Sequence, residues 1–155
     1  MAASLVGAGL LALAVFASPQ EPIVQHARGT FTVVITPEEE GGPAGPGRMR
    51  LEKTFQGDVQ ATGAGQMLAT LQGQSGAYVA MERVEGTVSG RAGGFALVHR
   101  GLMDEGRQDL TITVVPGSGS GELIGISGVF HLTIEGGEHR YDLEYRLPEA
   151  AADAP

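Results

Sequence analysis

The sequence predicts an all-β fold, a closed antiparallel β-barrel of about eight strands, and three observations carry that expectation. Apolar and polar residues alternate with period two over most of residues 29–147. Glycine occurs 25 times among 155 residues without a collagen period, as many tight turns between short strands require. No long helical spacing of apolar residues follows the first segment. Long strands with no helices to cover them leave open edges, and closure into a barrel removes those edges completely. A two-sheet sandwich is the structural rival, but no Greek-key signature is present. Hydrophobic residues make up 42% of the chain, enough for one real core and too many for a disordered chain.

Residues 1–17 carry no side-chain charge and contain the apolar run Leu10-Leu11-Ala12-Leu13-Ala14-Val15-Phe16. The run is short and glycine-broken for a membrane span. Val15-Phe16-Ala17 before Ser18-Pro19 offers a small residue where a signal peptidase cuts, although no Lys or Arg stands near the start. The segment reads as a cleaved export signal, which would place the mature protein in the periplasm or outside the cell with no stable membrane span. Residues 18–28 read as a tether, residues 29–147 as the barrel domain and residues 148–155 as a disordered tail.

The first strand is expected over residues 29–36, with Phe31, Val33 and Ile35 on one face, and Pro37 ends it. The stretch from Glu38 to Gly47 is a polar, Gly/Pro-rich loop. Alternation resumes with Met49, Leu51, Lys53 and Phe55 on one face. Gly57-Asp58 marks a bulge or bend, and residues 59–71 continue as strand. Further strands are expected over 78–88, 95–101, 110–115, 121–124, 129–134 and 139–147. Turn residues separate them at 73–76, 90–94, 104–106, 116–119 and 135–138. One internal echo stands out. Gly86-x3-Gly90-x2-Gly93-x-Phe95-x-Leu97 repeats as Gly121-x3-Gly125-x2-Gly128-x-Phe130-x-Leu132. The echo predicts two hairpins of one design in a meander of sequence-adjacent strands.

Several function classes are set aside by composition. The formal net charge is −8 with no Lys/Arg cluster, so polyanions such as nucleic acid are repelled. Aromatic residues are only 5% of the chain and tryptophan is absent, which leaves no large stacking surface. Without cysteine there is no disulfide, thiolate site or thiol nucleophile. His26, His99, His131 and His139 show no metal-ligand spacing, and neither a metal nor another cofactor is expected. Gly117-Ser118-Gly119-Ser120-Gly121 lacks the lysine and helix of a phosphate loop, and no hydrolase elbow fits it. It reads as a flexible hairpin connection.

Polar residues inside an apolar register are the informative ones, because alternate barrel side chains point inward. Lys53 sits between Leu51 and Phe55. Glu82 follows Tyr78 and Ala80. His99 follows Phe95 and Leu97. Tyr141 and Tyr145 flank Leu143, with His139 in the same register. A buried lysine and a buried carboxylate are each costly alone, so Lys53 and Glu82 are expected to pair across strands with His99 within reach. Such a group is either a structural polar network or an acid/base set in a cavity. Tyrosines in this setting are more often core residues with a bonded hydroxyl than catalytic acids.

The chain resembles the bacterial family catalogued as domain of unknown function 3224. The resemblance rests on Leu51-Glu52-Lys53-Thr54-Phe55-Gln56-Gly57-Asp58, on the run from Gly76 to Gly86, on the run from Gly90 to His99, on Val114-Val115-Pro116-Gly117-Ser118-Gly119 with Gly121, and on His139-Arg140-Tyr141. It implies an eight-stranded barrel of allene oxide cyclase-like or lipocalin-like build and no particular activity. Architecture does not fix function. The leading expectation is a barrel that binds a small, largely apolar molecule in its lumen, lined by Lys53, Phe55, Tyr78, Glu82, Phe95, His99, Tyr141 and Tyr145. The enzymatic alternative is a cofactor-free cyclase or isomerase, with Glu82 or His99 exchanging a proton and Lys53 stabilising negative charge. A third alternative is a structural or homodimerising module with a filled barrel. A barrel interior with no cavity above roughly 300 Å³ would leave only that third alternative.

Overall fold

The computed structural model describes residues 22–40 and 45–148. The expected export signal, residues 18–21 of the expected tether and the tail beyond Pro148 lie outside them. Nine strands form one sheet: β1 (Gln25–Glu39), β2 (Gly47–Gly57), β3 (Val59–Gln72), β4 (Ser75–Val88), β5 (Arg91–Asp104), β6 (Arg107–Val114), β7 (Ser120–Gly121), β8 (Ser127–Glu135) and β9 (Glu138–Arg146). The hydrogen-bonded order is β4-β3-β2-β1-β9-β8-β6-β5, and a β4–β5 pairing closes the ring. The result is a closed eight-stranded antiparallel barrel, with the two-residue β7 appended to β5. Closure leaves no sandwich, and every barrel strand pairs with its neighbour along the chain apart from the β1–β9 join.

Alternation decides the inside. Leu51, Lys53 and Phe55 are buried while Arg50, Glu52 and Thr54 face water. The same holds for Ala80, Glu82 and Val84 on β4, for Phe95, Leu97 and His99 on β5, and for Tyr141, Leu143 and Tyr145 on β9. Four hairpins turn in two residues, and at three of them, Ser89-Gly90, Glu105-Gly106 and Gly136-Gly137, both central residues have positive φ. That is the primed turn whose twist matches the strands it joins.

The strands depart from the expected spans in instructive places. β1 begins at Gln25 because its first residues pair with the end of β9, from Gln25 opposite Tyr145 to Phe31 opposite His139. Beyond Phe31 only β2 borders β1, and the strand passes through Pro37 with a register shift before Glu39. A proline is tolerated there because the strand is an edge on one side and bulged. The expected turn at 90–94 is shorter, since Arg91 to Gly94 already pair within the barrel.

The second copy of the internal echo is not a hairpin. Ser120 and Gly121 pair with Gly94 and Gly93 of β5, and the chain then folds under the barrel, so the expected strand over 121–124 is replaced by turns. The reason is burial: Leu123 and Ile126 from this connection are fully enclosed. They plug one end of the barrel against Ala27, Val59, Val88, Val114 and Tyr145. Nor is the Gly117–Gly121 segment flexible in the sense expected. The Ser118 hydroxyl donates to the carbonyl of Val115 and accepts from the Ala96 amide. The Ser120 hydroxyl accepts from the Gly94 amide, and the Arg83 guanidinium holds both the Ser118 carbonyl and the Ser120 hydroxyl. The knot ties the segment after β6 to β4 and β5, whereas β6 and β8 share a single bridge, Thr113 opposite Val129.

Leu123→Ala should lower stability by about 2–5 kcal/mol, the range for a buried leucine that leaves a cavity. The neighbouring exposed Ile124→Ala should stay within about 0.5 kcal/mol of the parent. Urea denaturation of the two variants checks the plug, and equal losses would count against it.

Candidate functional site

An eight-stranded barrel is just wide enough to be filled by side chains or to hold one small ligand. This barrel does both, at different heights. Above the plug lies an aromatic layer in which Phe31, Phe55, Phe130 and Tyr141 contact one another, with centroid separations from 5.3 Å for the stacked Phe130–Tyr141 pair to 6.2 Å for Phe31–Phe130. Above that layer the interior opens into a cavity of about 290 Å³. Its walls are apolar, including Leu51, Met67, Ala80, Met103 and Ile112, and its mouth is ringed by the exposed Ile35, Leu71 and Ile134. The polar groups on the wall are Lys53, His99, Tyr78 and His139. The volume lies at the lower edge of the range for small-molecule pockets, about 300–1,000 Å³.

Lys53, Glu82 and His99 meet at the cavity floor, as their shared inward register predicts. Lys53 is on β2 and Glu82 on β4, so β3 runs between them. Opposite Lys53 stands Gly63, and opposite Glu82 stands Gly65. With no side chain at either inward position, the lysine and the carboxylate bridge the intervening strand. Lys53 Nζ donates to Glu82 Oε2 at 2.7 Å. A Cβ at Gly63 would overlap Glu82 Oε1. His99 on β5 reaches the same oxygen, Nε2 to Oε2, at 3.1 Å. All three side chains are buried.

The electrostatics favour an ionised Glu82. Burial pushes the Glu82 carboxyl up, but the hydrogen bond from His99 and the charge and hydrogen bond of Lys53 outweigh it, so its pKa is lowered. An ionised carboxylate only accepts, so His99 Nε2 carries the hydrogen. In the neutral imidazole Nδ1 then holds the lone pair. No hydrogen bond to Nδ1 is present among the described residues, and the His99 side chain lines the cavity. Lys53 Nζ lies 4.8 Å from the Phe31 ring centre and 5.8 Å from that of Phe55, a cation–π setting. Glu82 Oε1 is buried without a partner, a costly state for a carboxylate oxygen.

Of the residues expected to line the lumen, Lys53, Tyr78 and His99 are on the cavity wall. Glu82 is behind it, joined to the cavity only through Lys53 and His99. Phe55, Phe95, Tyr141 and Tyr145 point inward but pack below the cavity in the filled half of the barrel. Tyr141 is held there by its hydroxyl, which donates to the Gln56 carbonyl and accepts from the Val59 amide, and burial pushes its pKa up. The Tyr145 hydroxyl donates to Gln25 Oε1. Burial also raises the pKa of Tyr78, which stays a phenol and a donor at neutral pH. The exposed His131 faces away from the interior, as expected. Gly63 and Gly65 were not singled out in the sequence. Their signal was there: glycines inside an alternating strand mark close approach to another group.

Two comparisons bear on this barrel. Residues 27–145 match the family described as "Protein of unknown function (DUF3224)". The chain belongs to the DUF3224 family. A crystal structure of a family protein of unknown function from Shewanella oneidensis MR-1 is 40% identical and superposes with a TM-score of 0.77. The match covers 83% of this chain and 100% of that one. No curated protein matches the chain. Among the described residues no helix is long and apolar enough to cross a membrane, and no group of His, Asp and Glu side chains is placed to hold a metal ion.

Glu82→Gln should cost about 3–5 kcal/mol at neutral pH, because it leaves the buried Lys53 ammonium without its counter-charge. Since the folded pKa of Glu82 is below its ordinary value of 4.5, the carboxylate stabilises the fold fully above that pH. That contribution is lost as pH falls through the lowered folded value. Urea titrations at successive pH values should show the parent losing stability below pH 4.5 more steeply than Glu82→Gln, and parallel slopes would remove Glu82 from the account. Gly63→Ala should displace the carboxylate and lower stability, while Ala64→Gly on the outer face of β3 should change it by under about 1 kcal/mol.

Proposed function

We propose that the barrel binds a small, largely apolar molecule that carries one hydrogen-bond acceptor. The observation that supports this most is the half-filled interior: an apolar cavity open at one end, with Lys53 and His99 at its floor and Glu82 fixing both from behind. A filled structural module has no need of a cavity or of a buried charge group at its base. Lys53 has donors left after its bond to Glu82, so a carbonyl or hydroxyl oxygen of the ligand would sit there. The hydrocarbon body would lie against Leu51, Met67, Ala80 and Ile112. About 290 Å³ limits the ligand to a compact molecule.

Charge narrows the class further. The rim of the mouth carries Glu38, Asp104, Glu105, Glu135 and Glu138 against Arg48, Arg107 and Arg140. At the floor Lys53 is already neutralised by Glu82. A carboxylate ligand would meet repulsion at the entrance and bring an uncompensated charge to the base, so an uncharged ketone, aldehyde or alcohol fits better. We also propose that the protein acts in the periplasm or outside the cell, on the strength of the uncharged apolar segment at residues 1–17.

Saturation-transfer NMR with cyclohexanone, hexanoate and hexylamine provides the test. Cyclohexanone should receive saturation from the protein and hexanoate far less. Ala69→Phe, which fills the wall near the mouth, should abolish the cyclohexanone signal in a folded barrel. A parent protein that transfers saturation to none of the three, or equally to all of them with Ala69→Phe unchanged, overturns the reading.

A further inference from the structure

The floor of the cavity holds more than a docking point. A binding site for one neutral oxygen requires a donor, and Lys53 supplies it. It does not require an unpaired imidazole lone pair beside that donor with a carboxylate on the far side of the ring. Glu82 Oε2 receives both Lys53 Nζ and His99 Nε2, so the ammonium and the imidazole are neighbours on one oxygen, and both face the same apolar space. With Nε2 engaged by Glu82, Nδ1 is the ring nitrogen without a partner among the described residues, on a side chain that lines the cavity.

We propose that the DUF3224 barrel catalyses proton transfer at carbon next to a carbonyl, isomerising small uncharged β,γ-unsaturated ketones to their conjugated α,β-unsaturated forms. The proposal rests on the binding reading above, because the ketone must first occupy the cavity. With the carbonyl oxygen on Lys53, the adjacent carbon lies beside His99. Nδ1 takes a proton from that α-carbon, and the C–H electron pair becomes the new carbon–carbon double bond of a dienolate. The negative charge moves to the oxygen, where the Lys53 N–H groups meet it. The imidazolium is stabilised by Glu82 and then returns the same proton to the γ-carbon, which regenerates neutral His99. One proton leaves and one returns, nothing is oxidised or reduced, and no cofactor enters. Lys53 and His99 are the catalytic residues; Glu82 positions them. The apolar walls favour this chemistry, since they keep water away from the dienolate and strengthen the Lys53 contact.

Cyclohex-3-en-1-one is a probe of the right size and charge, and its conversion to cyclohex-2-en-1-one is followed by the ultraviolet absorbance of the enone. The parent protein should raise the rate above buffer, and cyclohexanone should inhibit it competitively. His99→Gln should lower the protein-dependent rate by about 10²–10⁴-fold, the usual contribution of a positioned base, while saturation transfer to cyclohexanone persists. Ala69→Phe lies away from the floor and tests the location if His99→Gln fails to fold: it should remove rate and binding together. A parent that binds cyclohexanone yet isomerises the probe no faster than buffer overturns the catalytic proposal and leaves the binding reading standing. A rate unchanged in folded His99→Gln, or untouched by cyclohexanone, also overturns it. A parent that does not bind cyclohexanone removes the binding reading first.

Discussion

One carboxylate oxygen organises the interior of this barrel. Glu82 Oε2 accepts from an ammonium carried on β2 and an imidazole carried on β5, and it can do so only because β3 offers hydrogen atoms where other strands offer side chains. Burying three polar groups together is expensive unless each charge is met by another and each hydrogen finds an acceptor. Here Lys53 and His99 share one partner oxygen, while Glu82 Oε1 and the remaining Lys53 hydrogens go unmatched. Replacing the group with packed hydrocarbon would satisfy the fold at least as well, and often better. In the wall of an apolar cavity, it is the group that the proposed ligand would meet.

The barrel is divided along its axis. The lower half is solid: the plug formed by Leu123 and Ile126, then the ring-on-ring layer of Phe31, Phe55, Phe130 and Tyr141. The upper half is hollow. The solid half supplies the hydrophobic stabilisation, and it fixes the height at which Lys53 and Phe31 end the cavity. The hollow half carries no such duty. The two halves share residues at their boundary, for Phe31 and Ile112 belong to the packed core and also line the cavity.

Much of this was legible from alternation. Period two decides which side of the wall a residue faces, and it brought Lys53, Glu82 and His99 inward on three strands before any coordinates. It does not decide height. Phe55, Phe95, Tyr141 and Tyr145 share the inward face with the polar group yet lie in the solid half, because strand tilt and register set height, and these depend on partners distant in sequence. The same limit explains the echoed glycine motif. Both copies turn their Phe inward, but the second meets Gly93 and Gly94 of β5 and the open end of the barrel, so it becomes a plug where the first becomes a hairpin. Pro37 shows the converse: a local breaker is overridden where one side of the strand has no ladder to interrupt. The pair Gly63 and Gly65 was readable in principle, but a glycine in a strand announces close approach without naming what approaches.

The single Thr113–Val129 bridge gives the hoop an uneven strength. Seven joins are laced along their length. The eighth, between β6 and β8, has that one bridge, while Arg83 on β4 clasps the segment that follows β6 at Ser118 and Ser120. Local opening is expected first at the sparsely bonded join, where the fewest backbone hydrogen bonds must break. The clasp and the floor group are linked through adjacent residues, for Arg83 points outward and Glu82 inward on one strand.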